Sequence, residues 1–240
     1  MSVTDAVATG VPFSTLADTV LERLTATYAP AADPERAAPM RAYMKDVAPF
    51  LGLATPVRRA LSRTVVAGLP RPDERDCTAI ALRCWRLPER EYHYFAVDYL
   101  RRHARVCSSG FLPVARHLIA TTSWWDTVDL LAAHVVGALV AADPALKADM
   151  DTWIVDDDLW IARTALLHQL RYKERTDTER LFTYCLRQSG HSDFFVRKAI
   201  GWCLREYAKT DPEAVRAFLA RERGRFAPLS VREALKNIGA

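Results

Sequence analysis

Three aromatic residues recur at a fixed interval in the second half of this 240-residue chain. Trp125, Trp160 and Phe195 are each 35 residues apart, and each opens a long apolar segment with helical spacing. An interval of this length is typical of arrays in which pairs of antiparallel helices stack on one another. VDYL at 97–100 and VDLL at 128–131 suggest an earlier copy, although that interval is 31. The competing interpretation is coincidence, since any all-α protein with helices of similar length shows some such spacings.

Helical periodicity extends over nearly the whole chain, whereas the alternating pattern of strands does not occur. Glycines are few, and most prolines fall between apolar runs. We predict helices over 14–28, 34–46, 56–68, 73–85, 89–105, 111–120, 125–142, 144–154, 157–171, 177–188, 193–208, 212–222 and 228–238. The predicted fold class is all-α, a right-handed solenoid of antiparallel HEAT-like helical repeats with a concave face. We expect residues 1–12 to be disordered and residues 13–240 to form a single domain.

The composition indicates a globular protein of a reducing compartment. Apolar residues make up 50% of the chain and charged residues 26%, which excludes a disordered chain. No 18 apolar residues follow one another, and the N-terminus has no basic region, so we expect neither a membrane span nor a secretory signal. The odd number of cysteines, far apart and without a CxxC pair, predicts reduced and mostly buried thiols in a cytoplasmic protein.

Positive charge is concentrated toward the C-terminus. Residues 159–240 hold 16 Lys and Arg against 9 Asp and Glu, while the first 158 residues hold 17 against 20. A basic half is compatible with a phosphate-rich partner, although a solvated helix face gives the same surplus.

Several kinds of catalytic site are excluded by their missing motifs. The sequence has no GxGxxG, no GxxxxGK[ST], no HExxH, no GxSxG and no Cys/His cluster at zinc spacing. His134 and His168 fall within apolar helices, where satisfied core or boundary histidines are the expected interpretation. We therefore predict no metal and no cofactor.

A carboxylate stands inside the most apolar predicted helix. In SWWDTVDLLAAHVVGALVAA (123–142), Asp126 is placed in the first helical turn, where anions are favourable. Asp129 lies about a turn deeper, where burial costs free energy unless a partner compensates it. A structural hydrogen bond and a functional carboxylate both explain it.

The remaining chemistry is aromatic and basic. Trp125 and Asp129 share a helix face at i, i+4, as Trp202 and Arg205 do at i, i+3. Tryptophan on a helix usually belongs to the core, yet repeats place corresponding helices side by side. These residues and Arg163 could therefore converge on one surface, where indole faces attract cations and guanidinium groups suit phosphates.

Four motifs, in this order, resemble the AlkD family of HEAT-like-repeat DNA glycosylases. They are YMKDVAPFLGLATPVRR (43–59), SWWDTVD (123–129), WIARTALLHQLRYKERTD (160–177) and FFVRKAIGWCLREYAKTDP (194–212). The resemblance runs from about residue 13 to 238. It implies excision of cationic alkylated purines, such as 3-methyladenine and 7-methylguanine, from duplex DNA by a monomeric bacterial protein of the cytoplasm, associated with the nucleoid. In that family the lesion stays stacked, which would also admit bulky adducts.

The resemblance also implies roles for individual residues. Asp129 corresponds to the catalytic aspartate, with Trp125 and Trp202 as the aromatic cradle around it. The implied DNA-binding residues are Tyr43, Lys45, Trp124, Arg163, Lys173, Lys198 and Arg205. One departure is Ala162, where relatives often have a second basic residue beside the one at Arg163.

Three functions remain open at this point. The first is a monofunctional glycosylase, in which the aspartate stabilises the oxocarbenium ion of deoxyribose and positions water. The second is a non-catalytic protein of the same scaffold that binds DNA structures. The third is a HEAT-type protein scaffold, which would leave the basic C-terminal half without a function.

Overall fold

The computed structural model describes residues 10–238, and all regular secondary structure within them is helical. Thirteen helices of at least seven residues follow one another in this range, connected by short loops and 3-10 turns. They are α1 (Thr15–Tyr28), α2 (Pro34–Tyr43), α3 (Thr55–Val66), α4 (Glu74–Trp85), α5 (Arg90–His103), α6 (Leu112–Ala120), α7 (Trp125–Ala142), α8 (Lys147–Trp153), α9 (Leu159–Leu167), α10 (Thr178–Arg187), α11 (Phe194–Tyr207), α12 (Pro212–Glu222) and α13 (Pro228–Ala234).

The all-α prediction is confirmed, and most predicted helix ends agree within two residues. Three helices end more than two residues earlier than predicted, α2 at Tyr43, α9 at Leu167 and α13 at Ala234, and α8 begins three residues later than predicted, at Lys147. After α2 the backbone of Lys45 and Asp46 is left-handed, with φ of 58° at each, which a right-handed helix cannot contain. Disorder is predicted for residues 1–12, of which residues 1–9 lie outside the described residues. Residues 10–14 have no regular secondary structure.

The chain divides into two compact units, and the boundary falls inside α7 between Thr127 and Val128. The single domain over 13–240, the handedness of the array and its concave face stay predictions.

In the first unit, α1 packs on α3 and α4, and α4 packs on α5 and α6. The Tyr28 ring of α1 is buried and stacks on Tyr92 of α5 with 5.7 Å between centroids. Glu91, also on α5, is fully buried and accepts hydrogen bonds from the backbone N–H groups of residues 51, 52 and 53 at 2.9–3.0 Å. This carboxylate thereby satisfies backbone N–H groups of the irregular FLGL segment (50–53), which has no helical hydrogen bonds.

In the second unit, alternate helices lie side by side. The middle of α7 packs on α9, α9 packs on α11, and α11 packs on α13. Trp160 and Phe195, which are 35 residues apart, contact each other with 5.0 Å between ring centroids. The Tyr172 hydroxyl likewise donates to the Gly137 carbonyl, one interval away, at 2.6 Å. This arrangement agrees with helix pairs stacked at the interval of the aromatic residues; their assignment as HEAT-like repeats stays a prediction.

Helix α7 is long and apolar enough to cross a membrane when judged by length and composition alone, and it is the one such helix within residues 10–238. More than half of it (56%) is buried inside the protein, as in the core helix of a globular domain. Its hydrogen bonding changes at Ala132–Val136, which form a π-helical turn. Such turns are rare and are often found beside functional sites.

Gly137 follows this π-helical turn where α7 approaches the end of α9. A Cβ atom at this position would lie 2.3 Å from the backbone carbonyl oxygen of His168. We expect Gly137→Ala to lower the free energy of unfolding by about 1–3 kcal/mol, because the two backbones must separate. Urea unfolding measures the change. Gly190→Ala is the matched control, since a Cβ at Gly190 meets nothing within 4 Å; equal stability of the two variants would contradict the close approach.

Candidate active site

The carboxylate of Asp129 is paired with the guanidinium group of Arg163. Nε and Nη2 of Arg163 donate to Oδ1 and Oδ2 of Asp129 at 2.7 and 2.8 Å. The two side chains are 11% and 3% exposed, so this is a bidentate ion pair between α7 and α9 with little solvent around it. The pair compensates the charge that the apolar helix encloses.

The structure gives Arg163 partners within the protein, and its predicted contact with the DNA backbone stays a prediction. Its third nitrogen, Nη1, donates to the backbone carbonyl of Phe195, so all three nitrogens have partners within the protein. With 3% of its side chain exposed, Arg163 joins α7, α9 and α11 and orients Asp129. Ala162, the neighbouring residue at which the sequence departs from the resemblance, is buried as well.

Asp129 and Trp202 line the same open cavity, which has a volume of about 300 Å³. Trp202 is half-buried on α11. The other lining residues come from α7, from the segment after α9 and from α11, and they are Leu130, Ala133, His134, Leu170, Arg171, Lys173 and Glu206. Asp129 is therefore both paired with Arg163 and part of the wall of this cavity.

The other acid of the SWWDTVD motif, Asp126, is held in a buried hydrogen-bond network. It lies in the first turn of α7, as predicted. Nε and Nη2 of Arg90 donate to its two oxygens at 3.0 and 2.6 Å, and the Tyr94 hydroxyl donates at 2.6 Å. Arg90 and Asp126 side chains are 1% and 6% exposed. This network belongs to the first unit and fixes the beginning of α7, where Trp124 and Trp125 are half-buried.

Tyr43 and Lys45 lie on the surface of the first unit. Tyr43 ends α2 and is 72% exposed, which is unusual for an aromatic side chain. Lys45 is exposed in the left-handed turn that follows. Two consecutive non-glycine residues with positive φ are costly, and such strain is concentrated at binding and catalytic sites. Their contact with DNA stays a prediction.

The predicted cations of the second unit differ in their surroundings. Lys173 is exposed, has a left-handed backbone (φ 52°) and lines the cavity of Asp129. Lys198 and Arg205 both form ion pairs with Glu233 on α13, at 3.0 and 2.7 Å, and their side chains are 36% and 22% exposed. All three retain donors toward solvent, and their phosphate contacts stay predictions.

The two histidines of the apolar helices, His134 and His168, differ in their surroundings. His168 is buried, its Nδ1 lies 2.7 Å from the Ala165 carbonyl oxygen, and burial lowers its pKa to about 4. His134 is half-buried and lines the cavity beside Asp129. Within residues 10–238 no three or more His, Cys, Asp or Glu side chains are grouped to hold a metal ion.

Sequence reasoning missed a cleft of arginines in the first unit. A cavity of about 440 Å³ between α3 and α5 is lined by Arg59, Arg63, Arg101 and Arg102, with Asp98 as its one carboxylate. Within the described part of the chain, the side chains of Arg59, Arg63 and Arg102 form no hydrogen bond or ion pair. The spacing of Arg59 and Arg63 at i, i+4 was the available signal, but the negative balance of the first 158 residues concealed it.

The Asp129–Arg163 pair makes a prediction about coupling. Arg163→Gln and Asp129→Asn are each expected to destabilise the protein, because each removes one partner of a buried ion pair. The double variant should lose less than the sum of the two, with a coupling energy of about 1–3 kcal/mol. Chemical denaturation of the four proteins measures it. Strict additivity would show that the two side chains do not interact.

Comparisons with known proteins identify the family of the chain. A family model described as DNA alkylation repair enzyme matches residues 24–238. A solved structure, a predicted DNA alkylation repair enzyme from Enterococcus faecalis, is 30% identical and superposes with a TM-score of 0.78 over 86% of this chain and 96% of that one. Among curated proteins no match is found. The chain belongs to the DNA alkylation repair enzyme family.

Proposed function

We propose that this protein is a monofunctional DNA glycosylase that releases cationic N3- and N7-alkylated purines from duplex DNA. The observation that carries the proposal is the buried but accessible carboxylate of Asp129, which lines an open cavity together with the indole of Trp202. Membership of the alkylation repair family supports the substrate class.

The chemistry needs no acid to protonate the leaving base. Alkylation at N3 or N7 makes the purine a cation, so it leaves as a neutral base when the glycosidic bond breaks. Positive charge then develops on the deoxyribose ring. A carboxylate that faces this sugar stabilises the oxocarbenium ion and can hold the attacking water, and one such group contributes about 3–4 kcal/mol.

Arg163 is the residue that prepares Asp129 for this role. Its two hydrogen bonds fix the plane of the carboxylate. A carboxylate that is oriented before the substrate arrives does not have to reorganise as the sugar becomes charged. The indole of Trp202 offers a π face to the same cation, which adds about 1–2 kcal/mol where water is excluded. Trp125 is proposed as a second indole on the strength of the sequence resemblance.

The proposed product is an abasic site in an intact strand. A glycosylase that also cleaves the strand uses an amine to form a Schiff base with the sugar. Lys173 is the lysine that lines the cavity of Asp129, so it is the group to examine. We expect borohydride to trap no covalent complex between Lys173 and a reacting duplex.

The competing function is binding to DNA structures without catalysis. The pairing of both Asp129 oxygens with Arg163 favours it, because a buried ion pair can serve structure alone. The open cavity beside Asp129 argues for catalysis, since a purely structural pair needs no access for a ligand.

Asp129→Asn separates the two functions. The variant keeps the shape of the side chain but loses its charge, so release of 7-methylguanine from a methylated duplex should fall about 10²- to 10³-fold. Binding to undamaged duplex should remain within a few-fold of wild type. Chromatography of the released base and fluorescence anisotropy measure the two effects.

Asp157→Asn is the matched control for charge, since Asp157 is exposed in the same unit. It should release base at the wild-type rate. The glycosylase proposal fails if wild-type protein releases no alkylated base, or if Asp129→Asn releases it as fast as wild type.

The arginine cleft leads to a prediction about DNA binding that does not involve base release. We propose that Arg59 and Arg63 neutralise phosphates of the DNA backbone. Arg59→Gln/Arg63→Gln should then weaken DNA binding and reduce the slope of log K against log salt by about 1–2, because each phosphate contact contributes about 0.9. Titrations between 50 and 200 mM salt, a range chosen for its large effect on binding, measure this slope.

Arg36→Gln/Arg75→Gln changes the charge of the same unit equally. Both residues are exposed, and neither lines the cleft. This control should keep the wild-type slope. Equal slopes for the cleft variant and wild type would exclude the cleft from the DNA-binding surface.

A further inference from the structure

Lys198, Trp202 and Arg205 form a stripe on α11. Their spacing of i, i+4, i+7 places them on one face of the helix, with a cation one turn before the indole and another one turn after it. The indole in the middle is the one that lines the cavity of Asp129. The two cations therefore lie beside the position where the proposed function puts the alkylated nucleotide.

One buried carboxylate holds both cations. Oε1 of Glu233 accepts from Nζ of Lys198 at 3.0 Å, and Oε2 accepts from Nη1 of Arg205 at 2.7 Å. Lys236 forms a third ion pair with Oε1, at 2.6 Å. The Glu233 side chain is only 4% exposed. Burial opposes its ionisation, but hydrogen bonds from Lys236 and Lys198 outweigh this and lower its pKa to about 2.

A close contact between two helices fixes the position of Glu233. A Cβ atom on Gly201 would lie 2.4 Å from Cβ of Glu233 and 2.7 Å from the carbonyl oxygen of Ser230. Only glycine permits α13 to lie so near to α11. The Ser230 hydroxyl also donates to the carbonyl of Arg197 at 2.8 Å. The carboxylate is thus held against α11 beside Trp202, with little freedom to move.

The cations keep most of their capacity to bind an anion. A lysine ammonium has three N–H donors and a guanidinium has five, and the contacts to Glu233 use one of each. Three cations share a single carboxylate, so the cluster retains a charge of +2. A phosphodiester has two free oxygens that suit the remaining donors, and its one negative charge neutralises one of the two remaining positive charges.

We propose that Glu233 is a positioning residue that holds Lys198 and Arg205 as a clamp for one phosphodiester group of the DNA backbone, next to the nucleotide that Trp202 contacts. The inference rests on the proposed DNA-binding function. Without the carboxylate, both long side chains would have to be ordered by the DNA itself, and each would lose rotamer freedom on binding.

Removing the charge of Glu233 should change DNA affinity in the direction opposite to that expected from net charge alone. Glu233→Gln makes the protein one unit more positive, so long-range electrostatics alone would tighten DNA binding. We expect it to weaken binding to undamaged duplex instead, roughly tenfold, about the contribution of one charge-assisted hydrogen bond. The salt slope should fall by about 1. Salt titration of affinity by fluorescence anisotropy measures both, and it does not depend on base release.

Glu213→Gln is the matched control, because Glu213 is 78% exposed on α12 and the charge change is the same. It should bind DNA as tightly as wild type or slightly more tightly. A double-mutant cycle then separates positioning from general loss of stability. In the Lys198→Gln/Arg205→Gln background, Glu233→Gln should cause no further loss of affinity, since the cations it positions are gone.

Two results would overturn the proposal. One is a folded Glu233→Gln variant that binds duplex as tightly as wild type or more tightly. The other is a Lys198→Gln/Arg205→Gln variant with unchanged affinity and salt slope. This second test can be made even if Glu233→Gln does not fold. Failure of the proposed glycosylase would appear separately, as wild-type protein that binds DNA through this clamp but releases no alkylated base.

Discussion

The ion pair between Asp129 and Arg163 is the interaction on which the candidate site depends. It permits a carboxylate to stand in the most apolar helix of the chain, joins α7 to α9, and presents the acid at the wall of an open cavity. Buried pairs of this kind contribute little net stability, because desolvation offsets much of the attraction. The proposed function gives the fixed carboxylate a role beyond this stability. In this protein it faces the place proposed for a sugar that becomes positive.

Cation–carboxylate pairs also connect neighbouring helices elsewhere within each unit. Arg90 meets Asp126 in the first unit, and Lys198 meets Glu233 in the second, each about one repeat interval apart along the sequence. Apolar contacts between stacked helices tolerate sliding, whereas a bidentate or shared ion pair fixes the register. The same device thus serves structure at Asp126, the proposed catalysis at Asp129 and the proposed DNA clamp at Glu233. Their surroundings distinguish the three, since Asp129 lines an open cavity, Lys198 beside Glu233 is 36% exposed, and Arg90 beside Asp126 is 1% exposed.

The sequence was sufficient to predict the helices and to single out Asp129 as a candidate, but not to predict which side chains pair with one another. Periodicity and proline positions are local signals, so they predicted α7 and placed Asp129 within it. Whether Arg163 turns toward DNA or toward Asp129 depends on the rotation of α9 against α7, which no local pattern encodes. The left-handed Lys45 and Asp46 lack the glycine that would announce a helix end, and the π-helical turn after Asp129 has no sequence signature. Glu233 lies 28 residues beyond Arg205, so only the packing of α13 on α11 reveals it.

Binding to a charged mimic of the sugar measures whether Asp129 stabilises positive charge there. Two duplexes are compared, one with a cationic pyrrolidine abasic analogue and one with a neutral tetrahydrofuran analogue at the same position. An enzyme complementary to the oxocarbenium ion binds the cationic duplex more tightly. We expect the wild-type protein to prefer the cationic duplex at least about tenfold, corresponding to roughly 1.4 kcal/mol, and we expect Asp129→Asn to lose this preference. Equal affinity of the wild-type protein for the two duplexes would contradict this role of Asp129.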